Sequence, residues 1–188
     1  MVNERLSSKA QEQIGQYHSL LYAWSEKLNL ISPRDREKIK EKHIRPALRM
    51  ATLIKVVPHR VILDLGSGAG LPGIPIKIAH PESEVFLVES RRKRANFLRE
   101  VIRRLGLRDI TVVNSRVEDW ERPQDRQVDL VVSRAVSSVG QIASWVEPVL
   151  KPSGYIITSM GTKEGRASLP VLYEWNQGEK GHLGIWRG

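Results

Sequence analysis

Leu63-Asp-Leu-Gly-Ser-Gly-Ala-Gly-Leu-Pro-Gly73 decides how this 188-residue chain folds. Val61 and Ile62 lead into it, so a short aliphatic run reaches Asp64 and then meets glycine at every second position, Gly66, Gly68 and Gly70. A strand that ends on such a loop and enters a helix can turn tightly and let a ligand approach its main chain. Amide groups of the loop and the following helix then face a polar or charged ligand group. Twenty-five residues after Asp64, Glu89 closes the next predicted strand. That is where an α/β site puts a carboxylate to accept two ribose hydroxyls.

Working outward, short Val/Ile/Leu runs alternate with helical patterns from Val56 onward, which predicts a mostly parallel twisted sheet with helices on both faces. The expected strands are Val61–Leu65, Val85–Val88, Ile110–Val113, Asp129–Ser133 and Tyr155–Ser159, with helices over Leu71–Ala79, Lys93–Leu105 and Gln141–Leu150. Lys151-Pro-Ser-Gly reads as a turn, and Val171–Trp175 with His182–Trp186 as a closing hairpin. Residues 1–55 read as a helical extension and 56–188 as one compact unit. In the extension, Ile14, Tyr17, Leu21, Trp24 and Leu28 form one apolar stripe. A second helix is expected from about Arg34 to Ile54, kinked or split by Pro46. Its other face carries Arg34, Arg36, Lys38, Lys40, Lys42, Arg45 and Arg49, either as solvated charge or as RNA contacts.

Thirty Lys and Arg against 21 Asp and Glu give a net charge of +9, which makes nucleic acid the first candidate partner. The absence of cysteine excludes disulfides, thiolate metal sites and a cysteine nucleophile. No run of about 18 apolar residues is present, so no membrane contact is expected. The first residues, MVNERLSSKAQEQ, lack the apolar core of a signal peptide, and a cytoplasmic monomer is expected. His18, His43, His59, His80 and His182 are scattered, and none stands at metal-ligand spacing.

Gly68-Ala-Gly70-Leu-Pro-Gly73 also fits the dinucleotide pattern G-x-G-x-x-G. The alternate-glycine spacing, the lack of a second substrate domain and the predicted closing hairpin favour a nucleoside ligand without a pyrophosphate, S-adenosylmethionine. Asp64-Leu-Gly-Ser-Gly resembles the first motif of class I S-adenosylmethionine-dependent methyltransferases, whose fold is Rossmann-like. The ordered series Asp64-Leu-Gly-Ser-Gly-Ala-Gly-Leu-Pro-Gly-Ile-Pro, Val88-Glu-Ser, Lys93-Arg-Ala-Asn-Phe-Leu, Leu105-Gly-Leu, Arg116-Val-Glu and Ser133-Arg-Ala is similar to the glucose-inhibited division protein B family. Those bacterial enzymes methylate guanine N7 in small-subunit ribosomal RNA. Asn29-Leu-Ile and His43 resemble the family's N-terminal helical motif, and the likeness covers about residues 20–160.

By that resemblance, Gly66, Ser67, Gly68, Gly70 and Leu71 form the cofactor loop, Glu89 holds the ribose, Val117 and Glu118 flank the adenine, and Arg134 faces the opening. The resemblance implies S-adenosylmethionine as cofactor and small-subunit ribosomal RNA, or a pre-ribosomal particle, as partner. Guanine N7 carries a lone pair and no proton in the neutral base. Attack on a sulfonium methyl then needs no general base, so positioning and desolvation are the enzyme's work and no proton-transfer residue is expected. Arg134 is the one candidate catalytic side chain.

Arg91, Arg92, Lys93 and Arg94, at the mouth of the second strand, and Lys163 are candidate RNA contacts. Arg99, Arg103 and Arg104 read as a solvated helix face. Two departures stand out. The family usually has an acidic residue shortly after the position of His43, where this chain has Arg45-Pro46. Only about ten residues join the fifth strand to Val171, too few for a crossover helix, so rearranged last strands and a missing cleft wall are expected. A class I methyltransferase acting on another substrate, or a non-catalytic RNA-binding protein that keeps the fold, are the alternatives.

Overall fold

The computed structural model describes residues 6–120, 127–134, 137–160, 171–176 and 182–187. Helix α1 (Ser8–Leu28) begins where the Ser7 hydroxyl accepts the Ala10 N–H at 3.2 Å, and it ends at Asn29, whose φ of 48° turns the chain left-handed. Its stripe is buried as expected, with Ile14, Tyr17 and Leu21 inward. The expected second helix is instead four pieces: a 3-10 turn (Pro33–Lys38), a π-helical turn (Lys40–Ile44), helix α2 (Arg45–Leu53) and another 3-10 turn (Ile54–Val56). Pro46 accounts for the junction at which α2 begins. It lacks an N–H and sits in the first turn of α2, where none is needed.

Strands β1 (Val61–Leu65), β2 (Glu84–Val88), β3 (Ile110–Val113), β4 (Val128–Ser133), β5 (Leu150–Met160), β6 (Val171–Asn176) and β7 (His182–Arg187) alternate with helices α3 (Gly73–Ala79), α4 (Arg92–Leu105) and α5 (Val139–Val146). They form one sheet in the order β3-β2-β1-β4-β5-β7-β6. The first five strands are parallel, and β7 runs antiparallel to both β5 and β6. This is a Rossmann-like α/β fold. The short join after β5 does not keep the last two strands out of the sheet; residues 161–170 and the candidate Lys163 lie outside the described residues.

The expected turn at Lys151-Pro-Ser-Gly lies inside β5. Val128 pairs with Leu150 and Leu130 pairs with Tyr155, so β5 carries extra residues opposite β4. Such an irregularity is where a strand tolerates proline and glycine. A Cβ on Gly154 would stand 2.4 Å from Leu150 Cδ1, so the bulge closes only on a glycine.

The strands alternate between two apolar layers. Ile62, Leu87, Val132 and Ile157 join one core with residues of α1 to α4, while Leu63, Leu65, Val131 and Ile156 join another with Ile142 and Val146 of α5. Tyr17, Leu21, Ala47 and Met50 of the helical extension belong to the same cluster as Ile62, Ile74 and Leu98. The core therefore passes through the sequence boundary at residues 55 and 56.

Register aligns the carboxyl ends of the central strands: Leu65 pairs with Val88 and with Ser133, and Val88 with Val113. The residues that follow, Gly66, Glu89, Asn114 and Arg134, therefore stand along one edge. Asp64 points toward the α3 side, and its Oδ2 accepts the N–H of Gly73 at 2.9 Å, capping α3 from a distance. A Cβ on Gly73 would lie 2.4 Å from Leu87 Cδ2 and 2.5 Å from Asp64 Oδ2. Gly73→Ala is expected to lower unfolding free energy by about 1–3 kcal/mol, the usual cost of overpacking a core. Urea denaturation of the two proteins measures it.

Candidate active site

The loop after β1 is held by its own main chain. The N–H groups of Gly66 and Ser67 donate to Val88 O at 2.9 and 3.0 Å, and the Ser67 hydroxyl donates to Asp64 O at 2.9 Å. Gly66, Gly68 and Gly70 have φ of 69°, 55° and 90°, values that side-chain-bearing residues rarely adopt. Gly70 is also walled in, since a Cβ there would stand 2.6 Å from Ile74. At Gly68 a Cβ would meet Arg94 Nη1 and Gly66 O at 3.7 Å, an ordinary contact, so the positive φ and not crowding is what favours glycine there. Leu71 is buried and belongs to the same apolar cluster as Ala69.

Glu89 is only 6% exposed. Its Oε2 accepts the Gly68 N–H at 2.9 Å and its Oε1 accepts the Arg91 N–H at 2.7 Å. A carboxylate has about four acceptor sites, so two such bonds leave room for two hydroxyl donors. The Asn114 side chain donates to the carbonyls of Glu89 (2.8 Å) and Ser90 (3.1 Å), fixing this corner from β3.

Beside it lies a cleft of about 200 Å³ lined by Leu65, Gly66, Val88, Ser90, Ser115, Arg116, Val117, Glu118 and Trp145. Val117 is buried and Glu118 is exposed at the rim. The buried Ser115 hydroxyl has no protein partner. The structure thus brings the expected Gly66, Val117 and Glu118 to one opening beside Glu89.

Arg134 follows the end of β4 and is tied to the extension. One guanidinium nitrogen donates to His43 O at 3.3 Å and the other to His43 Nδ1 at 2.6 Å. Because Nδ1 accepts, the ring proton sits on Nε2, 3.6 Å from Asp35 Oδ2. Asp35 also pairs with Lys42. Burial and then the Arg134 charge hold His43 below the usual imidazole pKa, so the ring stays neutral. Burial also lowers the pKa of Arg134, against the opposing pull of Tyr17 and Asp64.

The residue least visible in the sequence is Tyr17. It is fully buried, and its hydroxyl donates to Ala69 O at 2.8 Å, pinning the glycine loop to α1. Burial raises its pKa further above the phenol range. No sequence pattern marks Tyr17, Trp145, Asn114 or Asp35 as site residues, and the apolar stripe of α1 accounts for Tyr17 by packing alone.

The basic residues divide. Arg91, Arg92 and Lys93 are exposed at the start of α4. Arg94 is half-buried and donates to Asn29 O at 3.2 Å, so it braces the end of α1. Arg103 and Arg104 pair with Glu100, pulling its pKa down to about 2, and Arg99 donates to Asn96. On the extension, Arg34, Lys38, Lys40, Lys42, Arg45 and Arg49 are exposed, while Arg36 pairs with Glu26 and stacks on Tyr22. Among the described residues no helix is long and apolar enough to cross a membrane.

A family model described as rRNA small subunit methyltransferase G matches residues 10–168. A protein named ribosomal RNA small subunit methyltransferase G from Lachnoclostridium phytofermentans is 39% identical over 148 residues, which are 78% of this chain and 61% of that one. One of the same name from Roseiflexus castenholzii is 41% identical over 160 residues, 84% of this chain and 68% of that one. The chain thus spans 61% and 68% of the lengths of these two curated relatives. A crystal structure of a SAM-dependent methyltransferase from Aquifex aeolicus superposes with a TM-score of 0.60 at 17% identity, covering 83% of this chain and 98% of that one. At that identity it establishes the fold alone.

Asp64 makes the stability of the fold depend on pH. It is 1% exposed, and burial outweighs the Gly73 N–H to push its pKa from 3.8 up to about 7. Between those values the folded chain holds a proton that the unfolded chain has lost. The stabilisation is complete below 3.8 and is lost as pH rises to about 7. Measured by urea unfolding, the stability advantage of wild type over Asp64→Asn falls across that interval and levels off above it; a rising difference contradicts the assignment.

Proposed function

This chain belongs to the rRNA small subunit methyltransferase G family, and on that premise we propose that it transfers a methyl group from S-adenosylmethionine to N7 of a guanine in small-subunit ribosomal RNA. The observation that carries the reading is Glu89, buried at the end of β2, with two acceptor sites left after its bonds to Gly68 and Arg91. Two vicinal ribose hydroxyls fit that remainder. The cleft beside it suits an adenine: Val117 and half-buried Trp145 give apolar walls, and the unpartnered Ser115 hydroxyl gives a polar atom at the wall. The positive φ angles of Gly66, Gly68 and Gly70 give the loop the tight turn that lets a cofactor approach its main chain.

When bound, S-adenosylmethionine supplies a methyl group made electrophilic by a positive sulfur. The residues of the chain position and shield. Guanine N7 offers its lone pair without losing a proton, so no general base is required. The Asp35–His43–Arg134 series agrees with this, since it ends on a guanidinium that cannot accept a proton. It orients Arg134 at the mouth of the site, where a fixed positive charge can face the electron-rich edge of guanine. The same series ties the helical extension to the end of β4.

The partner is small-subunit ribosomal RNA, free or within a pre-ribosomal particle. Exposed Arg91, Arg92 and Lys93, beside Glu89, and the exposed basic residues of the extension supply phosphate contacts that orient the substrate without reading its sequence. The test is incubation with S-adenosylmethionine and small-subunit RNA, free and as assembled particles, from cells lacking the modification. Mass spectrometry is expected to find one new N7-methylguanosine in at least one substrate, with Arg134→Ala lowering turnover at least tenfold. Cofactor binding with no methyl transfer to either substrate would favour a non-catalytic RNA-binding protein.

A further inference from the structure

The scattered histidines do not all stay apart in the fold. His59 lies in the linker before β1, His80 follows the last turn of α3, and Glu82 lies in the turn before β2. One ligand atom from each of the three lies within 4.8 Å of the other two. The two imidazoles meet edge to face, with centroids 4.9 Å apart and planes at 73°. Since β1 and β2 are parallel, this cluster stands at their amino ends, across the sheet from the glycine loop.

Hydrogen bonds to main-chain carbonyls set both tautomers. His59 Nδ1 lies 2.7 Å from Val57 O, and His80 Nε2 lies 2.7 Å from Ala51 O. A carbonyl only accepts, so each of those nitrogens carries the proton. His59 Nε2 and His80 Nδ1 are left with lone pairs, and His80 Nδ1 already stands 3.5 Å from Glu82 Oε1. A second ring nitrogen donating to a carbonyl is how metal-binding histidines are oriented. Burial lowers the pKa of His80, which favours the neutral ligand form. The neighbouring Lys77 ammonium is committed to Pro81 O and Ser83 O.

We propose that His59, His80 and Glu82 bind one divalent transition-metal ion of the zinc type. Two imidazoles and a carboxylate suit zinc and disfavour magnesium or calcium, which take oxygen ligands. Bonds of about 2.0–2.2 Å require the three ligands to close together by roughly an ångström. Glu82 is free to make that move because its side chain is 66% exposed; water completes the coordination. The ion would join the β1 linker to the α3–β2 corner. That corner is already bonded to α2 through Ala51, so the site clamps the helical extension to the sheet. It plays no part in methyl transfer.

The test uses the full chain freed of metal by chelation. Zinc chloride titrated by calorimetry is expected to bind at one ion per chain and to raise the melting temperature. His59→Gln and Glu82→Gln are each expected to weaken zinc binding about tenfold or more and to abolish the thermal shift. Both variants should keep the wild-type circular dichroism and affinity for S-adenosylhomocysteine, since neither residue lines that cleft. Anomalous scattering at the zinc edge should place the ion between the three side chains. Three results overturn the proposal: no stoichiometric zinc binding by wild type, undiminished binding by both variants, or an ion located elsewhere. An equal thermal shift with magnesium overturns the assignment to a nitrogen-liganded metal.

Discussion

The bond from the Gly68 N–H to the Glu89 carboxylate is the contact on which the site depends. It joins the loop after β1 to the end of β2 at the carboxyl edge of the strands, the edge on which parallel sheets bind ligands. The contact needs three things: a register that brings Leu65 beside Val88, a loop of glycines at positive φ, and a carboxylate on the first residue beyond β2. With these in place, one side chain both shapes the loop and keeps acceptor capacity for a ligand. Below it, Asp64 caps α3 through Gly73, and the absence of a side chain at Gly73 lets the helix sit directly on β1 and β2.

The helical extension is built into this arrangement. Three polar contacts run from it to the edge that carries the site: Tyr17 to Ala69, His43 to Arg134, and the Asn29 carbonyl to Arg94. Each contributes about 1 kcal/mol in net terms, more where a charged donor is involved. Their greater effect is geometric, because a buried hydroxyl or guanidinium left unpaired would cost more than the bond gains. Loop, helix α4 and strand β4 are thus all tied to the helical extension. The Arg45-Pro46 sequence, where the resembled family has an acid, leaves Asp35 as the carboxylate nearest His43.

The sheet was legible because its signals are local. Gly66 and Gly106 mark a strand end and a helix end within a few residues, and the alternating glycines mark the loop. The ordered series of motifs carries the family resemblance without any geometry. What the sequence concealed was long-range pairing. Nothing adjacent to Tyr17 says that its hydroxyl meets Ala69, 52 residues away. Arg94 reads as one of four basic residues at a strand mouth, yet its partner is a carbonyl at the end of α1. Lys151-Pro-Ser-Gly154 has the composition of a turn, and only the slipped register against β4 makes it part of a strand. The apolar period marks only Pro46 as an interruption of the second helix, because that period survives the change of helical winding at Lys40–Ile44.

The most direct measurement is a crystal structure of the chain grown with S-adenosylhomocysteine. Both ribose hydroxyls should lie within hydrogen-bonding distance of the Glu89 carboxylate, with the base in the cleft between Val117 and Trp145. A nucleoside bound elsewhere, or one whose ribose makes no contact with Glu89, would contradict the account.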